Sequence, residues 1–319
     1  MIKIGILSTA SIVPRVIEGI RSNEGFEICA LASRDKNKAD TFCRKYNIEK
    51  SYGSYDELIK DRDVDLVYIP LINSLHYLYA KKTIENNKHV LVEKPFALKG
   101  CQTEELFKLA KEHHVFVMES MKTLFMDSII RLKEVLDSGV IGKVHHVRFE
   151  KGTIGAFEEG HWMLNKTEGG GAFMGNASYV LALCFYLFGG IDMNAVGKKT
   201  VNENGCDLLY SFVMKVNDIN IDTVLSLNVK LRNELVIYGE KGYIELKDYW
   251  RPRSFTVRTD KKNTKYCFGS GNEFTFMFRH ISRMIEMGNI QSDIMTPLMS
   301  QKISELMERM IFGHNEFNG

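Results

Sequence analysis

Proline is scarce in this chain, at 5 positions among 319 residues, which excludes a collagen-like or Pro-rich extended protein. Cysteine occurs only 6 times, as Cys29, Cys43, Cys101, Cys184, Cys206 and Cys267, with no CxxC pair. That scatter speaks against a disulfide framework and against structural zinc, whose ligands cluster at short spacing, so no metal is expected. A dominant charge is also missing: 42 basic against 40 acidic side chains leave a net +2. No global field then points to nucleic acid or to an anionic membrane, and neither is an expected partner. The apolar runs, such as Tyr179 to Phe188, fall short of the roughly 20 residues that span a bilayer. No secretory leader pattern precedes the strand-like Ile2-Lys3-Ile4, so a reduced, cytoplasmic protein is the expectation.

The sequence holds a hydrophobic share of 45% over a length that suits two domains. Strand and helix patterns alternate from the start. Apolar runs at Ile2–Leu7, Glu27–Ala32, Leu66–Ile69, His89–Val92 and Val115–Met118 read as strands. Helical patterns over Ile12–Ser22, Lys36–Tyr46, Leu75–Glu85 and Thr103–Glu112 separate them. Short continuous apolar strands joined through helices predict a parallel sheet covered on both faces, a doubly wound α/β domain of the Rossmann kind. After about residue 122 the texture changes. One helix over Asp127–Ser138 precedes alternating strands at Val144–Glu150, Asp207–Lys215, Thr223–Val229, Glu234–Tyr238 and Tyr243–Leu246. These predict an α+β domain on a mostly antiparallel open sheet, with boundaries at 1–122 and 123–319. Two amphipathic helices, Phe274–Met287 and Pro297–Ile311, are expected to pack back on the body.

Three segments could carry chemistry. The first strand-to-helix turn, Gly5 followed by Ile6, Leu7, Ser8, Thr9, Ala10, Ser11 and Ile12, lies where a dinucleotide fold brings backbone amides to a pyrophosphate. It departs from the glycine fingerprint, because Ser8 and Ala10 stand where glycines would. At the end of the second strand, Ser33-Arg34 replaces the acid that would bind a ribose 2′-hydroxyl. A hydroxyl and a guanidinium suit a 2′-phosphate instead, with Lys38 as a helper, so NADP is expected with NAD as the alternative. A plain helix start capped by Ser33 or Asp35 is the other reading of these residues. The third segment, Val92-Glu93-Lys94-Pro95, ends a strand at the carboxyl edge of a parallel sheet, where open α/β folds bind ligand. A partly desolvated Lys94 there has the lowered pKa that acid/base work needs, and a cis bond to Pro95 is plausible; a surface ion pair of Glu93 with Lys94 is the bland alternative.

Together with Tyr52-Gly53-Ser54-Tyr55-Asp56-Glu57-Leu58, Asn73-Ser74-Leu75-His76, Met118-Glu119 and Gly169-Gly170-Gly171-Ala172, these motifs make the chain resemble the Gfo/Idh/MocA oxidoreductase family. The resemblance covers most of the chain and is strongest to the branch holding NADP-dependent dehydrogenases of sugars and dihydrodiols. It implies a Rossmann domain followed by a substrate domain whose sheet also builds a homodimer or homotetramer. It further implies that Lys94 hydrogen-bonds the reacting hydroxyl and that Glu93 lines the nicotinamide ribose. Pro70, Asn73 and His76 fall near the nicotinamide side of the cofactor. For His76 a helix-start residue with a satisfied ring is an equal reading.

The departure from the family lies in the helix after the glycines. Members carry an aspartate and, four residues later, a histidine or tyrosine on one helix face. Tyr179 matches the second position, with an aromatic on a buried helix as the alternative, and Gly175 occupies the first. Asn176 is a neutral substitute that could hold a substrate hydroxyl but cannot act as a base. His161 and Trp162, in the loop before this helix, are candidates to cover the substrate, with a core anchor the alternative for Trp162. The expected activity is hydride transfer between NADP(H) and a carbinol or carbonyl carbon of a sugar, cyclitol or dihydrodiol-like substrate, with Lys94 and Tyr179 as the acid/base pair. The alternative is a catalytically weakened, NADP-binding sensor or partner subunit, motivated by Gly175 and by the missing glycines at Ser8 and Ala10.

Overall fold

The computed structural model of the protein describes residues 1–155, 157, 158 and 160–313. Its first half alternates β1 (Ile2–Leu7), α1 (Val13–Arg21), β2 (Phe26–Ala32), α2 (Lys36–Tyr46), β3 (Lys50–Tyr52), α3 (Tyr55–Lys60), β4 (Leu66–Ile69), α4 (His76–Glu85), β5 (His89–Glu93), α5 (Gly100–Glu112) and β6 (Val117–Ser120). Then come α6 (Asp127–Asp137), β7 (Val144–Gly152), α7 (Ala172–Phe188), β8 (Val196–Val201), β9 (Asp207–Val216), β10 (Ile219–Ser226), β11 (Glu234–Gly239), β12 (Gly242–Lys247), β13 (Ser254–Thr259) and β14 (Asn263–Cys267). The helices α8 (Thr275–Glu286) and α9 (Pro297–Phe312) follow. The chain divides into two compact units, one of residues 1–122 with 271–301 and one of residues 123–270 with the remainder. The return of 271–301 to the first unit is not visible in the pattern reading, which grouped it with the second.

The first unit is built on a six-stranded sheet in the order β3-β2-β1-β4-β5-β6, parallel throughout. Strand order reverses between β1 and β4, and that switch point opens a ligand crevice at the carboxyl ends of the strands. Ile4, Ile6, Val67, Tyr68, Leu91 and Val92 are fully buried, as strands covered on both faces require. The return segment adds α8 against α1, where Phe278 meets Phe26 edge to face at 5.6 Å.

Two strands have other bounds than their patterns suggest, for clear reasons. The apolar run Val115–Met118 is only partly strand, because Val115 N–H still caps α5 by donating to Ala110 O at 3.0 Å, with His114 left-handed at φ 53°. The strand therefore runs on to include Glu119 and Ser120. The strand expected at Thr223–Val229 likewise begins earlier, at Ile219, because Asn217 takes a left-handed turn (φ 54°) after β9. It ends at Ser226, whose Oγ accepts the amides of Asn228 and Val229.

The second unit carries an eight-stranded sheet in the order β14-β13-β12-β11-β7-β10-β9-β8, antiparallel except for the β7–β10 pair. One face is apolar, with Val147, Phe149, Leu235, Ile237, Ile244 and Leu246 buried. The other carries ion pairs, among them His146 with Asp222 at 2.6 Å and Arg148 with Glu150. Along the apolar side runs α7, all but three of whose residues are buried. Residues 166–188 are long and apolar enough to cross a membrane on length and composition alone, yet 78% of that apolar window is buried inside the protein. Such burial is what a core helix shows.

Candidate active site

The turn after β1 lies where a Rossmann fold brings backbone amides to a pyrophosphate, and it lacks the glycines of the fingerprint. Ser8 has φ 110°, a conformation in which an L side chain is strained, and it stands at a glycine position of the fingerprint. Two local bonds hold it there: Ser8 Oγ donates to Pro70 O at 3.1 Å and accepts Ala10 N–H at 3.2 Å. Pro70 is thus a support of the loop through its carbonyl. Thr9 and Ala10 are partly exposed and Ser11 is exposed, so the loop is open to a ligand. Ile12 stands at the N-cap of α1 and supplies no side-chain cap. An uncapped helix start above small side chains fits a pyrophosphate. Gly5 lies buried in β1 beneath this loop.

At the end of β2, Ser33 is buried, accepts Asp35 N–H at 3.2 Å and donates its own amide to Tyr52 O. The cap of α2 is Asp35, whose Oδ1 accepts the amides of Asn37 and Lys38. Arg34 and Lys38 are exposed, and Arg34 hydrogen-bonds Tyr55. Since Asp35 does the capping, the Arg34 guanidinium is not needed to start the helix. Two cations on an exposed helix start suit an added phosphate.

At the ends of β5 and β6 the first unit gathers charges, Glu119 and Lys122 buried and Glu93 and Lys94 half-buried. Glu93 Oε1 accepts both the Tyr68 hydroxyl and Ser120 Oγ–H at 2.8 Å, which fixes the carboxylate, while Oε2 accepts the Lys94 amide at 3.3 Å. The Lys94–Pro95 bond is cis. Burial pulls the Lys94 amine below the ordinary lysine range, while the carboxylates of Glu93 and Glu119 pull against it. Glu119 is 1% exposed, and its two oxygens accept Phe96 N–H at 3.2 Å and Ser300 Oγ–H at 2.9 Å. Burial pushes its carboxyl up to about 7, despite those two bonds. Nearby, burial brings Lys122 down to about 8, opposed chiefly by Glu273, which Arg15 holds at 2.8 Å. Asn73 is buried at the start of a short 3-10 turn.

The His76 ring is fully buried, with Nδ1 2.8 Å from Pro95 O and Nε2 3.0 Å from Leu71 O. Both nitrogens face backbone carbonyl oxygens; burial holds the ring's pKa below the ordinary histidine range, and a neutral ring has a single N–H to donate to one of the two. Its part is to brace the loop that carries Lys94.

In the second unit, Tyr179 is 8% exposed on α7, and the Lys151 ammonium lies 5.2 Å from its ring centroid and 4.1 Å from that of Trp250. Asn176 is buried and turned back on its own helix, its Nδ2 donating to Ala172 O at 2.9 Å. That bond uses one of the two Nδ2–H donors of Asn176. A Cβ at Gly175 would come within 2.9 Å of Met163 Cε, so a thioether fills the space that a carboxylate side chain would take. His161 caps the 3-10 turn Trp162–Leu164 by accepting Met163 N–H, and its ring packs between Phe157 (4.8 Å) and Trp162 (6.0 Å). Both are half-buried.

Several residues of this machinery escaped the sequence reading. Glu119 was used only as part of a family motif, although an acid inside an apolar strand that ends at a ligand edge is a signal. From the returning segment Ser300 reaches Glu119 while Glu273 pairs with Arg15 and acts on Lys122, and no local pattern announces either. Asp207, at the start of β9, caps α7 by accepting Phe173 N–H at 2.7 Å, and burial pushes it up to about 6. Gly171, with φ 115°, is where the chain passes this carboxylate, since a Cβ there would lie 2.1 Å from Asp207 Oδ1. Lys151 and Trp250 were also missed. Among the described residues no cluster of three or more His, Cys, Asp or Glu side chains could hold a metal.

Known proteins place this geometry. Residues 2–121 match the Gfo/Idh/MocA oxidoreductase family, NAD-binding Rossmann fold, and residues 129–245 match a Gfo/Idh/MocA C-terminal domain. The chain is 29% identical over 296 residues to trans-1,2-dihydrobenzene-1,2-diol dehydrogenase of Xenopus tropicalis, covering 89% of each chain. To the Homo sapiens enzyme of that name it is 26% identical over 298 residues, 89% of this chain and 87% of the relative. The fold is shared with KijD10, a 3-ketoreductase from Actinomadura kijaniata in complex with NADP and TDP-benzene, at a TM-score of 0.88 and 20% identity over 98% of this chain and 97% of that one. It is shared also with aldose-aldose oxidoreductase from Caulobacter crescentus complexed with glycerol, at a TM-score of 0.87 and 22% identity, again over 98% and 97%. With the two domain matches spanning most of its length and a β3-β2-β1-β4-β5-β6 sheet beneath an open phosphate loop, the chain belongs to the Gfo/Idh/MocA family of oxidoreductases and begins with that family's NAD(P)-binding Rossmann domain.

Proposed function

We propose that the protein is an NADP(H)-dependent dehydrogenase or reductase acting on a carbinol or carbonyl carbon of a sugar, cyclitol or dihydrodiol-like substrate. The observation that carries this reading is Lys94, desolvated at the carboxyl edge of the sheet between two carboxylates, Glu93 and Glu119. An amine whose pKa has been brought down can exist neutral, take the hydroxyl proton during oxidation and return it during reduction. The nicotinamide, when bound, supplies the hydride acceptor or donor. Glu93, held by Tyr68 and Ser120, lines the ribose beside it together with Asn73. Ser33 and Arg34 bind the 2′-phosphate, with Lys38 adding charge, and residues Ser8 to Ile12 carry the pyrophosphate on backbone amides.

From the second unit, Tyr179 donates to the substrate oxygen, while His161 and Trp162 give the substrate an aromatic wall. The aldose-aldose oxidoreductase complexed with glycerol and the diol named for the dehydrogenases support a small hydroxylated substrate class. The sheet of the second unit, with its ion-paired face, is assigned to a homodimer or homotetramer. The test is NADP(H) and NAD(H) binding followed by turnover on a panel of aldoses, inositols and dihydrodiols. Turnover with NADP on at least one of them is the expected result.

A second reading rests on Gly175, against which Met163 Cε packs, and on Asn176, one of whose amide hydrogens bonds Ala172 O. On that reading the protein binds NADP tightly as a sensor or partner subunit. Tight binding without turnover on any panel member would select it.

A further inference from the structure

Glu119 is an acid inside a strand, 1% exposed and in register with Val92 of β5, and burying it carries a cost that its hydrogen bonds must offset. One of those bonds reaches the loop of Lys94. Glu119 Oε1 accepts Phe96 N–H at 3.2 Å, and the carbonyl of the same peptide group, Pro95 O, lies 2.8 Å from His76 Nδ1. Two buried titratable side chains therefore grip, from opposite ends, the peptide that follows the Lys94–Pro95 bond. The other bond comes from Ser300 of α9, whose hydroxyl lies 2.9 Å from Oε2.

Both contacts suit either protonation state of the acid. A serine hydroxyl can donate to a carboxylate or accept from a carboxylic acid, and Oε1 remains an acceptor for the Phe96 amide in both forms. Glu119 can thus gain or lose its proton without releasing the turn, and burial places that change at about 7. The charged and titratable groups around it are Glu93 and Lys94 at the end of β5, His76 behind Pro95, and Lys122 past β6, which faces Glu273 and Arg15. Burial favours the neutral amine of Lys94; the carboxylate of Glu93 and, when ionised, that of Glu119 favour the ammonium. We infer that Glu119 is a positioning residue for Lys94: it holds the turn of the lysine in both protonation states, and its charge decides how firmly the amine keeps its proton. The inference rests on the dehydrogenase reading above, in that Lys94 is taken to carry the proton of the reacting hydroxyl.

The experiment follows acetylation of Lys94 by trace acetic anhydride in the full chain without cofactor, from about pH 6 to about pH 11, read by mass spectrometry. It gives the pH midpoint of this one amine. Glu119→Gln keeps an oxygen for Phe96 N–H and an amide for Ser300 but has no charge, and should move the midpoint down by about one pH unit or more. Glu119→Asp keeps the charge on a shorter side chain, and should move it by less than half as much. A midpoint unchanged in the Gln variant, or displaced as far in Asp as in Gln, overturns the inference, because a brace without an electrostatic role suffers more from Asp. Since the midpoint is read without turnover, a Gln shift with no activity on any sugar or diol would sink the dehydrogenase reading and leave this one standing. Turnover with an unshifted midpoint would do the reverse.

Discussion

Ser300 donates its hydroxyl to Glu119 Oε2 at 2.9 Å, so a residue of the returning segment closes a buried acid at the end of β6, beside Lys94. The carboxyl is pushed from an ordinary 4.5 up to about 7, which means the folded chain holds this proton more tightly than the unfolded one. Its stabilising contribution is complete below pH 4.5 and is lost as pH rises through about 7. Glu119→Gln has no proton to lose. Denaturant unfolding between pH 4.5 and 8 should show the wild type losing roughly 3 kcal/mol relative to the variant, the scale of such a shift. Parallel pH profiles for the two proteins would contradict this account.

Arg34 stands exposed at the start of α2 while Asp35 performs the capping. Arg34→Ala should therefore leave helix stability nearly unchanged. Its effect should fall on NADP, with affinity down about ten- to a hundredfold, the range for hydrogen bonds to a charged group. NAD affinity should stay within about threefold. Fluorescence titration of NADPH and NADH checks both, and an equal loss for the two cofactors would remove Arg34 from the 2′-phosphate.

Ser8 holds φ 110° with a side chain that bonds Pro70 O and Ala10 N–H. Glycine there would remove strain and two bonds together, so Ser8→Gly should change stability little. Valine, β-branched and without a hydroxyl, should cost about 2 kcal/mol or more. Chemical denaturation of the two variants measures the difference, and a Val variant as stable as the Gly one would mean that the loop simply rearranges.

Asp207 accepts the amide of Phe173, the second residue of α7, from a strand far along the chain. Asp207→Ala leaves Phe173 N–H buried without this acceptor, at a cost of about 1–3 kcal/mol. Asn, which retains a carbonyl oxygen, should recover most of it. Thermal unfolding of both variants decides, and equal losses would show that charge rather than the amide acceptor matters.

The parts of this molecule that were legible in the sequence are those with a local cause. Continuous apolar strands between helices gave away the parallel sheet, and Glu93-Lys94-Pro95 at a strand end marked the ligand edge. The loop at Ser8 and Ala10 read as irregular because glycine identity was the signal, whereas the structure preserves the conformation through a serine that bonds its surroundings. The short α3 and the strands β3, β8, β13 and β14 carry too few residues or too mixed a pattern to stand out. Glu273, Ser300 and Asp207 act across long sequence separations, which no local periodicity encodes. Gly175 reads in the sequence as a loss of charge, but only packing reveals that Met163 lies against it and that Asn176 bonds its own helix.

The central claim is that Lys94 carries the proton of the reacting hydroxyl. Steady-state turnover of Lys94→Met and Lys94→Arg, with NADPH affinity measured on the same preparations, tests it most directly. The account predicts that kcat falls about a hundredfold or more in the Met variant, the scale of a lost general acid/base, while NADPH binding changes less than about fivefold. The Arg variant, charged at all working pH values, should be no better than Met. Full activity in Lys94→Met, with cofactor binding intact, would contradict the account.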